Sequence, residues 1–443
     1  MNIITIFFHL ASVVLTARRR ARFTTACFML LLSLTGLGQI PIAHLASGFH
    51  TATLHPVGAP TADPIVPLAG GQLELGFDDL NPGLRNLQAR FVHCTFDWYP
   101  SPDLRPTDYL NGFHPVSLTD AEASFGTRID YTHYRLRFPN DLVQFTRSGN
   151  YAVEIFDPSE PDNPLVVKRF TLYEDLVSVD VSVTKATRIE DQMTHQEVDF
   201  TLRSEDYPLI DPYDALQTAI LQNGRWDNAR VGLPPQFVKG REIDFNRAYD
   251  NAFPGGNTQR FADLKSRRFV SRGMARIDDT GPEIYYFMEP LERRTYLAYR
   301  YRADLGGHFV VSNERFDDAT GGEYGWVHWT LDLDQPLYGT ELYAFGGISQ
   351  GMYLPSHRFH WNQTHHHYEL DLLLKQGYYD FLVLARPSGS DHSRASLAED
   401  PGDVFAVEGS HDETPNTYTV IAYYWDPVGY DRVVGVGNAR RDP

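Results

Sequence analysis

The chain has 443 residues, more than a single hydrophobic core usually supports, so two or three domains are expected. With 42% hydrophobic and 22% charged residues it has enough apolar side chain to fill those cores, which excludes wholesale disorder. The net charge of −18 becomes −22 when an N-terminal leader with four arginines and no acidic residue is removed, and the remainder has no Lys/Arg run longer than a pair, which excludes a nucleic-acid partner.

In chain order, Arg18, Arg19, Arg20 and Arg22 precede an apolar stretch, 23–37, that ends in small residues at Gly36 and Gly38. Thr24, Thr25, Ser33 and Thr35 interrupt it, and it is shorter than a membrane span, so the pattern predicts a signal peptide over 1–38. Cys27 falls in that leader and Cys94 is then the single remaining cysteine, so no intrachain disulfide forms. Residues 39–64, rich in Pro, Gly, Ala and His, predict an extended segment.

Period-two alternation then begins. Runs at 72–77, 86–96, 131–138, 151–156 and 166–172, separated by turn residues such as Asn81-Pro82-Gly83 and Ser148-Gly149-Asn150, predict a first β-sandwich over 65–175. Trp98 is expected in its core, and Gly149-Asn150 at positive φ. A second sandwich is expected over 176–318, with strands at 177–183, 196–202, 284–287 and 295–301. Residues 215–221 read as a strand or a short helix, 223–265 as a long structured loop, and 317–323 as a linker or long loop. The C-terminal sandwich, 319–443, is expected to hold strands at 327–333, 341–345, 367–374, 378–384 and 417–424, with a tight hairpin at Lys375-Gln376-Gly377-Tyr378-Tyr379 and a polar loop at 388–403. The fold class is therefore all-β: tandem immunoglobulin-like β-sandwich domains.

Few residues point to chemistry. Gly347-Ile348-Ser349-Gln350-Gly351 has the spacing of a nucleophile elbow, but that motif needs a following helix and Pro355 opposes one, so Ser349 reads as part of a glycine-rich turn. On a strand His365 and His367 share a face, with His366 between them, whereas His357 and His360 lie on opposite faces. Two imidazoles without a third ligand read as a polar strand edge. Neither Asp211 with Asp214 nor Asp332 with Asp334 is marked as catalytic, and calcium on such loops stays open. No catalytic, cofactor-binding, metal or partner-binding residue is assigned.

Nine short segments, in one order, are more informative: Cys94-Thr-Phe-Asp-Trp98; Tyr131 to Tyr134 with Phe138-Pro-Asn140; Ser148 to Tyr151; Arg169-Phe170; Gln196-Glu-Val198; Leu221 to Trp226; Gly255-Gly-Asn257 with Arg260-Phe261; Leu374 to Tyr379; and Glu408-Gly-Ser410 with Thr414, Asn416 and Tyr418. Over about 90–418 the chain resembles the plug-protein family of the type IX secretion system. The resemblance implies a non-catalytic periplasmic protein, without cofactor or small-molecule substrate, whose partner is the outer-membrane translocon barrel. It would occlude the periplasmic mouth of that barrel and be held at the outer membrane by protein contacts alone. The alternative is a secreted carbohydrate-binding β-sandwich, which would need a row of exposed aromatics on one flat face.

Overall fold

Alternating burial organises the residues described by a computed structural model, which are 38–314, 319–390 and 401–441. The expected signal peptide, but for its last residue, and positions 391–400 of the polar loop lie outside them. From Pro41 onward the chain forms one unit. It is built almost wholly of strands, and the all-β sandwich class holds.

In the first module, strand Leu73–Asp79 lies between Phe49–Pro56 and Thr132–Phe138, with Asp120–Ala123 at the far edge. The facing sheet centres on Gly149–Phe156, flanked by Gln88–Cys94 and Pro164–Tyr173. Phe77, Phe91, Tyr134, Phe138, Tyr151 and Phe170 fill the space between. Strand Phe49–Pro56 comes from the segment expected to be merely extended. Its alternation is hidden because Thr51 takes φ 53 and the register slips between His50 and Thr53, a bulge that puts Phe49, Ala52 and Leu54 on the buried side.

The second module pairs Ser178–Lys185 with His195–Arg203 and packs that sheet on another, ordered Arg225–Val231, Leu216–Gln222, Thr417–Asp426, Tyr430–Arg440. Leu216–Gln222 is a strand and not a helix. Residues 223–265 are not a long loop: five strands cross them, four of only three or four residues and too short to show a period. Segment 295–301, despite its aromatics, forms no strand. Its start is pegged instead by Arg294 N donating to Val407 O (2.7 Å) and Thr295 Oγ1 donating to Phe405 O (2.9 Å). The sheets also cross the boundary drawn at 319, since the last hairpin of the chain completes the sheet begun at 216.

The third module is one continuous ten-stranded sheet whose halves share a core, with Trp329 of one half meeting Phe381 of the other at 5.7 Å. The chain passes between halves at Gln376. Strand His367–Lys375 pairs with Tyr324–Asp332 and Arg358–Asn362, whereas Gly377–Pro387 pairs with Thr340–Gly346 and Arg260–Asp263. The expected hairpin at 375–377 is thus a crossover. Gln376 is buried and uses its amide on Glu323 N and Lys265 O, while a Cβ on Gly377 would stand 2.5 Å from Val310 O.

Candidate functional site

Several of the segments that carry the resemblance meet at joints between modules, while Tyr134, Phe138, Tyr151 and Phe170 of the others pack inside the first sandwich. At the first joint, the turn after Cys94 closes with Trp98 N donating to Thr95 O and sets Trp98 at φ 68. Trp98 is fully buried, edge-on to Trp226 of the second module at 4.9 Å and beneath the Arg169 guanidinium at 4.5 Å. It seals a joint and is not in the sandwich core. Gly149 takes φ 147, whereas Asn150 has no positive φ; its Oδ1 accepts from Thr171 Oγ1 (2.9 Å) and Tyr423 OH (3.0 Å), so the first module holds the C-terminal hairpin. Burial pushes the Cys94 thiol up to about 12 and lowers Arg169 to about 9.

At the second joint, Lys375 Nζ lies 2.6 Å from Asp78 Oδ2, each side chain 1% exposed. Tyr324 OH donates to the same oxygen at 2.7 Å, and His133 Nδ1 is 2.7 Å from Asp78 Oδ1. Glu323, in the segment read as a linker, is buried and accepts from Arg128 N at 2.9 Å, so that segment is part of the joint.

The third joint pins the connection from the third module back to the second. Glu408 accepts from Arg260 Nε (2.9 Å), Arg294 Nε (2.7 Å) and Val383 N (2.6 Å). Burial acts to raise its carboxyl, but the two guanidiniums outweigh burial and hold it below the usual range. Gln196 then donates to Asp412 O (2.7 Å) and Thr414 O (2.6 Å) and accepts from Asn416 Nδ2 and Tyr418 OH. A cavity of about 180 Å³ remains where the modules meet, lined among others by Asp63, Trp98, Lys168, Arg225, His308 and Gln350.

Among the described residues, the elbow candidate meets no histidine or carboxylate within hydrogen-bond distance. Ser349 is buried in a 3₁₀ turn, Gly347–Ser349, and its Oγ bonds only the backbone of Gly346 at 3.3 and 3.4 Å. The nearby His357 binds Ile348 O instead (2.9 Å). Asp211, Asp214, Asp332 and Asp334 are all exposed. His365 and His367 do meet on one face, and Glu369, which the sequence reading missed, joins them. Its i+2 spacing from His367 on a strand was the available signal.

Comparison with known proteins bears on these joints. Residues 49–174 match the family described as "Type 9 secretion system plug protein 1st domain". The first domain is that of the type IX secretion plug family. No curated protein matches the chain. Among solved structures, the crystal structure of a hypothetical protein from Parabacteroides merdae is similar, with 29% identity and a TM-score of 0.85, over 91% of this chain and 100% of that one. The likeness thus extends past the plug domain through the other two modules. The plug family is a structural component of a secretion system. Among the described residues, no helix is long and apolar enough to cross a membrane.

Proposed function

We propose that this chain is a non-catalytic part of the type IX secretion machinery, exported by residues 1–38 and held against the periplasmic opening of the outer-membrane translocon barrel, which it occludes. The observation that carries this reading is the match over 49–174, together with the use of the remaining motif residues to lock that domain to two others. A stopper must keep its outline while the barrel stays open to folded cargo, and buried polar joints fix one arrangement of the modules. Attachment is peripheral, through protein contacts, with neither nucleic acid nor small-molecule substrate.

The carbohydrate-binding alternative gains no support from the surface. Among the described residues, the most exposed aromatics, Phe125 at 87%, Tyr296 at 85% and Tyr338 at 85%, sit on three separate loops, and the short row of Tyr285 and Phe287 beside Trp326 and His328 on one sheet face has Phe287 covered by the Arg276 guanidinium at 3.4 Å. Deleting the gene tests the occlusion reading. The expected result is an intact barrel with raised permeability to large hydrophilic antibiotics, and recovery of this chain on barrels purified from cells lacking the cargo-collecting partner. Unchanged permeability together with no recovery on the barrel rejects it.

A further inference from the structure

Independently of any secretion role, strands Arg358–Asn362 and His367–Lys375 form a hairpin in register His360↔Glu369, Trp361↔Tyr368 and Asn362↔His367. Alternation turns Trp361 and Tyr368 toward the core, their rings 5.1 Å apart, and leaves His360, Asn362, His367 and Glu369 on the outer face. The tip is shaped by Asn362, whose Oδ1 accepts from Thr364 N (2.9 Å) and His365 N (3.1 Å), and by His366 at φ 56. This turn brings the His365 ring alongside that of His367, 5.6 Å between centroids.

His367 Nε2 lies 2.9 Å and His365 Nδ1 3.6 Å from Glu369 Oε1, and the three candidate ligand atoms all fall within 4.8 Å of one another. A tetrahedral ion with bonds of about 2.0–2.2 Å sets its ligands roughly 3.3 Å apart, so side-chain adjustments within ordinary rotamer play seat one here. Asn362 Nδ2 donates to Glu369 Oε1 at 2.9 Å and lies 3.1 Å from His365 Nδ1, so it holds two of the three donors together and keeps the contact to the carboxylate when His365 turns to an ion.

We propose that His365, His367 and Glu369 form a binding site for a divalent transition-metal ion of the zinc type, with the fourth position open to water. Two imidazoles and one carboxylate suit zinc and its neighbours, whereas calcium and magnesium call for all-oxygen sets. The ligands belong to adjoining strand and turn positions of one hairpin whose inner face is anchored by Trp361 and Tyr368, so the donors are held together before any ion arrives.

Titration of the full mature chain with Zn²⁺, followed by calorimetry, tests the site, and Co²⁺ substitution reports its geometry by visible absorption. One ion per chain is expected at this site, with protons released on binding and weaker binding in acid, since imidazole must be neutral to ligate. His365→Ala with His367→Ala should abolish that binding step and the tetrahedral cobalt spectrum. Asn362→Ala should weaken it about tenfold. His328→Ala, which removes a histidine paired with Asp371 on the same sheet, should leave it unchanged. Far-UV circular dichroism identifies any variant that misfolds, in which case Glu369→Gln, nearly isosteric but without the anionic ligand, takes its place and should weaken binding. Failure of the parent to bind Zn²⁺, or parental affinity in the folded double variant or in Glu369→Gln, overturns the proposal.

Discussion

His93 sits in the first joint with Nδ1 2.7 Å from Ser101 Oγ and Nε2 3.3 Å from Ser148 O, packed against Tyr151 and, from the C-terminal hairpin, Tyr430. Burial drives its imidazole down from 6.5 to about 4, so the folded protein holds it neutral while the unfolded chain takes up a proton at higher pH. The unfolded state therefore binds more protons between those values. Stability contributed by the neutral ring is complete above pH 6.5 and is lost as pH falls toward 4, a change of about 3 kcal/mol. Asp380 acts in the opposite sense: burial and the nearby Asp304 raise it to about 7, so its effect on stability falls as pH climbs toward neutrality. The difference between parent and variant isolates the histidine. Urea unfolding of His93→Gln at pH 7.5 and 4.5 is expected to show a shallower loss in acid than the parent, and identical pH slopes would show that His93 is solvated.

At the scale of elements, strands Leu73–Asp79 and His367–Lys375 each end in a buried charge of opposite sign, and the Asp78–Lys375 pair closes the joint between them. Removing one member strands the other in a dry site, which typically costs about 3–5 kcal/mol, whereas removing both spares that penalty. Lys375→Met should cost about 3 kcal/mol, toward the lower figure because Tyr324 and His133 still bond Asp78. Adding Asp78→Asn should then cost less than it does in the parent background. Urea midpoints of the four proteins decide this, and additive costs would mean that the pair is not coupled. Most long strands of this fold were legible in the sequence because two-sided sheets print a period of two on the residues. Asp78 and Lys375 were not, since no local pattern marks a charge whose partner lies 297 positions away. The same holds for Trp98 and Asn150, whose residue types suggested core and turn but which meet Trp226 and Tyr423 of another module, and for Gln376, which suggested a hairpin but bonds Glu323 and Lys265 across the two halves of its own sheet. His367 and Glu369 follow strand alternation, whereas His365 lies in the tip turn and reaches His367 through it, which the reading of 365–367 as strand did not show.

Across the whole molecule, the order of modules along the chain differs from the order of sheets in space. Leu216–Gln222 has Thr417–Asp426 as its neighbour over seven consecutive residue pairs, Leu216↔Tyr424 to Gln222↔Tyr418, and Tyr430–Arg440 lies beyond. Leu216, Ile220, Tyr418, Val420 and Val434 share one core with Val198 and Phe200. A fragment comprising 176–318 alone would therefore expose half of that core and an unpaired inner strand edge, which is both an unstable and an aggregation-prone surface. The fragment is expected to be unfolded by circular dichroism and amide exchange, and fusing 411–441 to 176–255, which leaves out the strands of the third module's sheet, should give cooperative unfolding. A cooperatively folded 176–318 would show that the C-terminal hairpin is dispensable to the second module. If the hairpin is required, the second module cannot close until the end of the chain has been delivered, and the first joint, which uses Tyr423 and Asp431 of that hairpin, closes after it. The arrangement of the three modules is then set in a late step that joins them all.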